Sequence, residues 1–292
     1  MKPSIGEPSS FGGVDWFDAE KRWVQLPGDS SSRDIQADFG VFHSVAVFAA
    51  TIRGRKHRLL GRPNEDAFAI RHVEVASRAF VVVVLCDGLS SAALSHWSSS
   101  WSALEVADRI IGHFSDVTSL SDGVLSEIIA RSILDAKEQL VKERVTDATP
   151  IGDFATTLTV AVVPAHSIED GPAVVGYIGD SPAFIREPDH WLQIALHTAE
   201  ADVQSSATEA FPLVDKCRFV SPALRQGDVL LVTSDGVGNY LSRGNRDLQL
   251  GEYIAKQWAT PRDEVELLAD LSFDLRSADD DRTVVALWLG VN

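Results

Sequence analysis

Residues 81–88 read Val-Val-Val-Val-Leu-Cys-Asp-Gly, an apolar run that leads through a cysteine into an aspartate and a glycine. Such a run predicts a strand that is buried on both faces. The run from Val229 to Val232 leads in a similar way into Ser234-Asp235-Gly236. An aspartate at the end of a buried strand is held rigidly at the edge of a sheet, where its charge needs a counter-ion. These two segments therefore predict a sheet with acidic groups at one edge.

Further aspartates lie beside short apolar runs, in Asn64-Glu65-Asp66, Gly179-Asp180-Ser181 and Asp279-Asp280-Asp281. No matching run of lysine or arginine accompanies them. Converging carboxylates of this kind favour a hard divalent cation, Mg²⁺ or Mn²⁺, over a network of ion pairs. The pattern is typical of a two-metal hydrolase, although a single Asp-Gly pair after a strand is also a common turn.

The composition is that of a globular enzyme. The chain has 292 residues, 45% of them hydrophobic, enough for one large domain or two ordinary ones. A formal net charge of −16 argues against nucleic-acid binding, which needs clustered Lys and Arg. Two cysteines, Cys86 and Cys217, are too few for a disulfide framework and favour a reduced, cytoplasmic setting. No apolar run approaches the roughly 20 residues that span a bilayer, and the N-terminus lacks the apolar core of a signal peptide, so we expect no membrane association.

The chain divides into an N-terminal arm and one domain. Residues 1–40 are rich in Gly, Ser, Pro and Asp but contain Trp16 and Trp23, so we expect a partly ordered arm, followed by a domain over 41–292. Predicted strands cover residues 45–48, 67–70, 79–85, 156–163, 174–178, 183–185, 191–196, 229–233 and 283–289. Predicted helices run through residues 97–110 and cover 121–144, 248–258 and 263–275, with a basic turn at 53–58 and a loop at 197–216. Strands in blocks and helices in pairs favour an α+β layered sandwich over a doubly wound parallel sheet.

Taken in order, the motifs resemble those of the type 2C (PPM, metal-dependent) protein serine/threonine phosphatases. The matching pieces are Arg62-Pro63-Asn64-Glu65-Asp66-Ala67, Val84-Leu85-Cys86-Asp87-Gly88, Ala155-Thr156-Thr157-Leu158, Ile178-Gly179-Asp180-Ser181, Leu231-Val232-Thr233-Ser234-Asp235-Gly236 and Asp280-Asp281-Arg282-Thr283. Each piece alone is a weak signal, whereas the ordered set, spread from about Ala50 to Gly290, is specific. The resemblance implies a four-layer α-β-β-α sandwich, in which two central antiparallel sheets are flanked by helices.

The resemblance also implies a metal centre. Two ions, Mn²⁺ or Mg²⁺, would bind to a set of carboxylates and one carbonyl, namely Asp66, Asp87, Gly88, Asp235, Asp280 and Asp281. Asp87 would bridge both ions. Asp281 stands where the family usually has Asn, so either Asp280 or Asp281 would supply the last ligand.

Four further residues take roles from the same resemblance. Glu65 would hold a metal-bound water, and Asp180 matches a position that in some members binds a third, looser ion. For the substrate phosphate, Arg62 is nearest the family position but offset by one residue, and Arg58 is the alternative, since a guanidinium suits a phosphate dianion. The catalytic residues implied are thus Asp87, Asp235 and Arg62.

The function that follows is hydrolysis of phosphoserine and phosphothreonine in proteins by a metal-activated water. The chain resembles bacterial stand-alone members of the family. Its partners would be phosphoprotein substrates and a cognate Ser/Thr kinase, and we expect a cytoplasmic monomer that binds neither nucleic acid nor membrane.

Some residues depart from the family pattern and support an alternative. The turn after Asp87-Gly88 is Leu89-Ser90-Ser91, where many eukaryotic members have a histidine proposed as the general acid, and Pro182 replaces an arginine. The alternative is a catalytically weak or inactive pseudophosphatase that acts as a binding or regulatory module. Retention of every core carboxylate opposes it, because a redundant metal site should lose its mutually repelling acids first. An EF-hand is excluded at Asp279-Asp280-Asp281, which lacks alternating ligands, the Gly and the terminal Glu.

Overall fold

The computed structural model describes residues 34–75, 78–114, 117, 120–195, 209–214, 216–243, 246–247, 249–275 and 278–291. Most of the predicted N-terminal arm and of the predicted loop at 197–216 lies outside these ranges. Within them, no helix combines the length and the apolar character that a bilayer crossing requires.

Thirteen strands are assigned in the described ranges. In chain order they are β1 (Ile35–Phe42), β2 (Val45–Ile52), β3 (Asp66–Val75), β4 (Arg78–Asp87), β5 (Leu158–Pro164), β6 (Val174–Ile178), β7 (Ala183–Arg186), β8 (Trp191–Ala195), β9 (Arg218–Val220), β10 (Val229–Thr233), β11 (Ser242–Arg243), β12 (Arg246–Asp247) and β13 (Arg282–Leu289). The helices are α1 (Arg55–Leu60), α2 (Ser95–Phe114), α3 (Asp122–Arg144), α4 (Asp235–Gly238), α5 (Gln249–Gln257) and α6 (Glu264–Leu271).

The long strands form two antiparallel sheets. One has the order β1-β2-β13-β10-β7-β8 and the other β3-β4-β5-β6-β9, while β11 and β12 form a separate short ribbon. Strands β2, β5, β6, β10 and β13 are buried along their whole length. Strands buried on both faces need cover on both, which the opposite sheet and the helices provide.

Three apolar cores separate four layers. Phe68 and Val83 of one sheet pack with Val232 and Leu287 of the other between the sheets. A second core lies beneath α2 and α3, and a third lies beneath α5 and α6, which cover the six-stranded sheet. The predicted α-β-β-α sandwich is confirmed.

The predicted basic turn at 53–58 is wrong in part, because helix α1 begins at Arg55. Gly54 is its extended N-cap, and Gly61 is its C-cap with a left-handed φ of 66°. A helix of six residues is too short to show an apolar period, so the sequence pattern missed it.

Two boundaries also differ from prediction. Strand β1 begins at Ile35, ahead of residue 41 where the predicted domain starts. As an exposed edge strand it lacks a clean apolar alternation. The last helix ends at Leu271 rather than at 275. Nη1 of Arg282 donates to the carbonyl of Leu271 (3.2 Å) and to that of Phe273 (2.7 Å), so these carbonyls are satisfied without another helical turn.

Candidate metal centre

Asp66 and Asp87 lie side by side at one edge of the five-stranded sheet, as partners in the antiparallel register of β3 and β4. The carboxylate of Asp66 accepts a hydrogen bond from Oγ1 of Thr283 (2.8 Å). The amide of Asp87 donates to Oγ1 of Thr157 (3.0 Å), and its carbonyl accepts from the amide of Thr157 (2.7 Å). These bonds to neighbouring strands fix both backbones and hold two carboxylates next to each other.

Asp235 comes to the same place from the other sheet. It is the first residue of α4, which follows β10 after the N-cap Ser234, and its amide donates to Oδ2 of Asp87 (3.3 Å). A Cβ at Gly236 would lie 1.9 Å from the carbonyl oxygen of Asp281. Only glycine allows this approach, so the Asp-Gly pair seats the loop of Asp235 against the start of β13.

Gly88 has a comparable reason to be glycine. Its amide donates to the carbonyl of Glu65 (3.0 Å). A Cβ at Gly88 would lie 2.7 Å from that carbonyl oxygen and 2.8 Å from Cβ of Ser95. The turn after Asp87 is therefore packed against Glu65 and α2, which an ordinary solvent-exposed turn would not require.

A cavity of about 130 Å³ opens between the two sheets at this edge. Six carboxylates line it, those of Glu65, Asp87, Asp180, Asp235, Asp280 and Asp281. Gly88, Leu89 and Ser90 also line it, while Asp66 is buried behind Asp87. The structure thus brings together all the predicted metal ligands from five separate parts of the chain.

The acids are held where their charges are unfavourable. Burial raises the pKa of Asp66 and of Asp87 well above the usual value, and the charges of neighbouring acids raise both further. Burial, then Asp280 and Asp180, raise the pKa of Asp235 to about 6. Since carboxylate oxygens are hard ligands and need added positive charge here, the donor set fits Mg²⁺ or Mn²⁺.

Comparison with known proteins identifies the family of this chain. The protein phosphatase 2C family profile matches residues 53–273, most of the chain. The chain belongs to the protein phosphatase 2C family. No curated protein sequence matches it.

Several solved structures share the fold. The PPM Ser-Thr phosphatase MsPP from Mycobacterium smegmatis, in complex with cacodylate, has a TM-score of 0.55 and 18% identity, covering 86% of this chain and 100% of its own. The S. agalactiae serine/threonine phosphatase has a TM-score of 0.58 and 15% identity, covering 87% of this chain and 99% of its own. RsbX in complex with magnesium has a TM-score of 0.53 and 12% identity, covering 87% and 100%.

The two adjacent acids before β13, Asp280 and Asp281, have different surroundings. Asp281 is 3% exposed. Its Oδ1 accepts from the amide of Gly54 (2.6 Å), and its Oδ2 accepts from the amide of Glu65 (2.6 Å) and from the ring of His57 (2.8 Å). The side chain of Asp280 is 46% exposed and faces the cavity. Of the pair, Asp280 has the freer carboxylate, while Asp281 holds α1 and the Glu65 backbone.

Sequence reasoning missed His57, which lines the cavity from α1 and is 1% exposed. Burial lowers its pKa, but the hydrogen bond and charge of Asp281, with Glu65 and Asp280, outweigh burial and leave the pKa raised. Its Nε2 lies 4.0 Å from Oε2 of Glu65, and both atoms are buried without a hydrogen-bond partner among the described residues. The only sequence signal was a histidine within an Arg/Lys-rich segment.

The structure does not bring the two predicted phosphate-binding arginines into this cavity. Arg58 lines a separate cavity with Arg53, Arg55 and Arg282. The amide of Arg62 donates to the carbonyl of His57 (2.8 Å), but Arg62 does not line the acidic cavity. Successive helical residues point about 100° apart, so turning His57 inward turns Arg58 away. In the part of the chain that the structure describes, no arginine lines the metal centre.

Proposed function

We propose that this protein hydrolyses phosphoserine and phosphothreonine in proteins, with two Mn²⁺ or Mg²⁺ ions bound at the aspartate cluster. One observation carries the proposal. Asp66, Asp87 and Asp235 converge in a setting where burial and mutual repulsion raise their pKa values. Bound cations would neutralise the repelling carboxylates and so stabilise the fold. Membership of the protein phosphatase 2C family supports the same reaction, as does the magnesium in RsbX.

The residues divide the work of holding the ions. Asp87 lies between Asp66 and Asp235, so its carboxylate would contact both ions, and Asp280 would complete the set from the exposed side. The Gly88 carbonyl is the neutral donor of the group. When bound, the ions would neutralise the phosphate dianion and lower the pKa of the attacking water.

Two further lining residues, Glu65 and Leu89, bear on how the attacking water is oriented and on where the leaving group obtains its proton. Oε2 of Glu65 is a buried acceptor with no hydrogen-bond partner in the part of the chain that the structure describes, so it would orient the attacking water. Leu89 lines the cavity but has no proton to give. In the proposed reaction the leaving oxygen of serine or threonine takes its proton from solvent.

The proposed substrates are phosphoproteins, which a Ser/Thr kinase would produce. The proposed enzyme acts as a monomer. The competing function is a pseudophosphatase that binds partners without turnover. Two features of the cavity lining support this alternative. Leu89 cannot act as a general acid, and no arginine is among the described lining residues.

The deciding experiment measures hydrolysis of p-nitrophenyl phosphate and of a phosphothreonyl peptide. Mn²⁺-dependent turnover that is lost with a chelator and with Asp235→Asn supports the phosphatase. Asp189→Asn is the matched control, because Asp189 is exposed in the turn between β7 and β8. Folded protein that binds Mn²⁺ without turnover would make the binding module the better account.

A further inference from the structure

A second group of metal-binding side chains lies far from the aspartate cluster. His43, His72 and Glu74 each offer one ligand atom, and the three atoms lie within 4.8 Å of one another. Nε2 of His43 is 3.3 Å from Oε1 of Glu74, and Nε2 of His72 is 3.8 Å from the same oxygen. We propose that these three residues form a site for a borderline transition ion such as Zn²⁺.

The spacing and the donors suit that ion. With Zn–N and Zn–O bonds of about 2.0–2.2 Å, tetrahedral ligand atoms are roughly 3.3–3.5 Å apart. The two separations from the Glu74 oxygen, 3.3 and 3.8 Å, are near this value, and all three ligand atoms lie within 4.8 Å of one another. Two imidazole nitrogens with one carboxylate favour Zn²⁺, Ni²⁺ or Cu²⁺, whereas Mg²⁺ prefers oxygen ligands alone. The site would therefore differ in selectivity from the aspartate cluster.

His72 and Glu74 lie on the side of β3 that faces the other sheet, but beyond the apolar core. Side chains alternate along β3, and Phe68 and Ile70 face the core between the sheets. His72 and Glu74 continue the same face beyond the edge of that core, where the β1–β2 hairpin lies over them. The ring of His72 stacks on Phe42, with centroids 5.4 Å apart and an interplanar angle of 23°. This contact restrains the ring orientation that the proposed site uses.

His43 is held in an unfavourable backbone conformation. It lies in the two-residue turn between β1 and β2, and its φ of 54° is the one positive value among the non-glycine residues that the structure describes. A non-glycine residue in this region is uncommon, and asparagine, aspartate and histidine are the ones that adopt it most readily. The left-handed turn directs the ring of His43 to Glu74.

Two neighbours fix the hairpin in place. Oγ of Ser44 lies 2.8 Å from the carbonyl oxygens of both Ala165 and His166, between which its single O–H donor is shared. The ring of His166 lies against that of His43, with centroids 3.7 Å apart. The hairpin of one sheet is thus tied to the loop after β5 of the other sheet, and a bound ion would clip it to β3 as well.

The site is independent of the catalytic centre. His72 is six positions from Asp66 along β3, which at about 3.3 Å per residue separates them by about 20 Å. The side chains of His43, His72 and Glu74 are 33%, 39% and 62% exposed, so an ion can reach them from solvent. We expect bound Zn²⁺ to stabilise the sandwich, because it would join the two sheets.

The test uses the full chain without a polyhistidine tag, in excess Mg²⁺ to occupy the aspartate cluster. Zn²⁺ is titrated by calorimetry, and retained metal is counted after dialysis. We expect one Mg²⁺-resistant zinc per chain, a higher melting temperature, and the visible absorption of tetrahedral cobalt when Co²⁺ replaces Zn²⁺.

The variants separate this site from other zinc binding. His72→Ala and Glu74→Gln should each weaken zinc affinity by at least about tenfold, since even outer-shell partners are worth about 10–100-fold. His43→Asn removes the ligand but tolerates the positive φ, so it should fold well and bind zinc poorly. His190→Ala, at an exposed histidine elsewhere, and Asp235→Asn should keep the zinc. Equal zinc in wild type and His43→Asn, or zinc that Mg²⁺ displaces fully, would overturn the proposal.

Discussion

Nδ1 of His57 lies 2.8 Å from Oδ2 of Asp281, a contact that joins helix α1 to the start of β13 across 224 positions of sequence. The same carboxylate accepts from the amides of Gly54 and Glu65, both at 2.6 Å. Asp281 is thus the point at which α1, the segment before β3 and the segment before β13 are held together. Its neighbour Asp280 makes fewer contacts and opens to the cavity.

This difference predicts that substitution of Asp281 changes the stability of the protein, whereas substitution of Asp280 changes metal binding. Asp281→Ala leaves buried donors unpaired and should lower the free energy of unfolding of the metal-free protein by roughly 3 kcal/mol. Asp280→Ala should change that free energy little but weaken Mn²⁺ binding. Urea unfolding in chelator and Mn²⁺ titration measure the two effects. An Asp281→Ala protein as stable as the wild type would contradict the bracing role.

The stability of the metal-free protein should fall as pH rises. The pKa of Asp235 is about 6 in the folded protein against a usual 3.8, so the folded state binds more protons between these values. Stability from this group is therefore present below pH 4 and is lost as pH rises through 6, by on the order of 2–3 kcal/mol. His57, whose pKa is raised above 6.5, adds a loss of the same sign at higher pH.

Urea unfolding at pH 4.5 to 7.5 measures this slope. Asp235→Asn should flatten it, because the amide does not titrate. Saturating Mn²⁺ should reverse it, since the metal binds the deprotonated carboxylates. If the metal-free wild type gains stability from pH 4.5 to 7.5, burial and mutual repulsion do not raise the pKa values of these acids in the folded protein.

The sequence pattern is sufficient to predict that the acids at the ends of strands come together at one place. Asp87 directly follows an apolar run and Asp235 follows one after Thr233 and Ser234, so their elements and their convergence are predictable from local pattern and from the ordered motifs. The bonds of Asp281 were not, because they depend on a contact made only after both sheets have formed. The family resemblance assigns Arg62 to the phosphate, with Arg58 as the alternative, but the sequence pattern does not predict α1, six residues long, on which Arg58 lines a different cavity. His57 was missed for the same reason.

The packing of Gly236 predicts that its replacement disturbs metal binding. In Gly236→Ala the new Cβ would meet the Asp281 carbonyl at 1.9 Å, so the backbone that positions Asp235 must move. We expect Mn²⁺ affinity to fall at least about tenfold, since outer-shell support alone is worth about 10–100-fold. Gly112→Ala is the control, because nothing lies within 4 Å of its added Cβ and alanine favours the helix. Calorimetric Mn²⁺ titration of both variants gives the comparison, and equal affinities would refute the packing argument.

Leu89 at the cavity mouth predicts a leaving-group effect. A threonine alkoxide is a poor leaving group that benefits from a proton donor, whereas p-nitrophenolate leaves readily without one. Leu89→His should therefore raise kcat on a phosphothreonyl peptide, and raise it more than kcat on p-nitrophenyl phosphate, with a gain of up to the roughly 10²-fold that general acids supply. Leu89→Ala, which changes size without adding a proton donor, should leave the ratio of the two rates unchanged. If Leu89→His moves both rates by the same factor, leaving-group protonation does not limit the hydrolysis, and residue 89 acts only through the shape of the cavity.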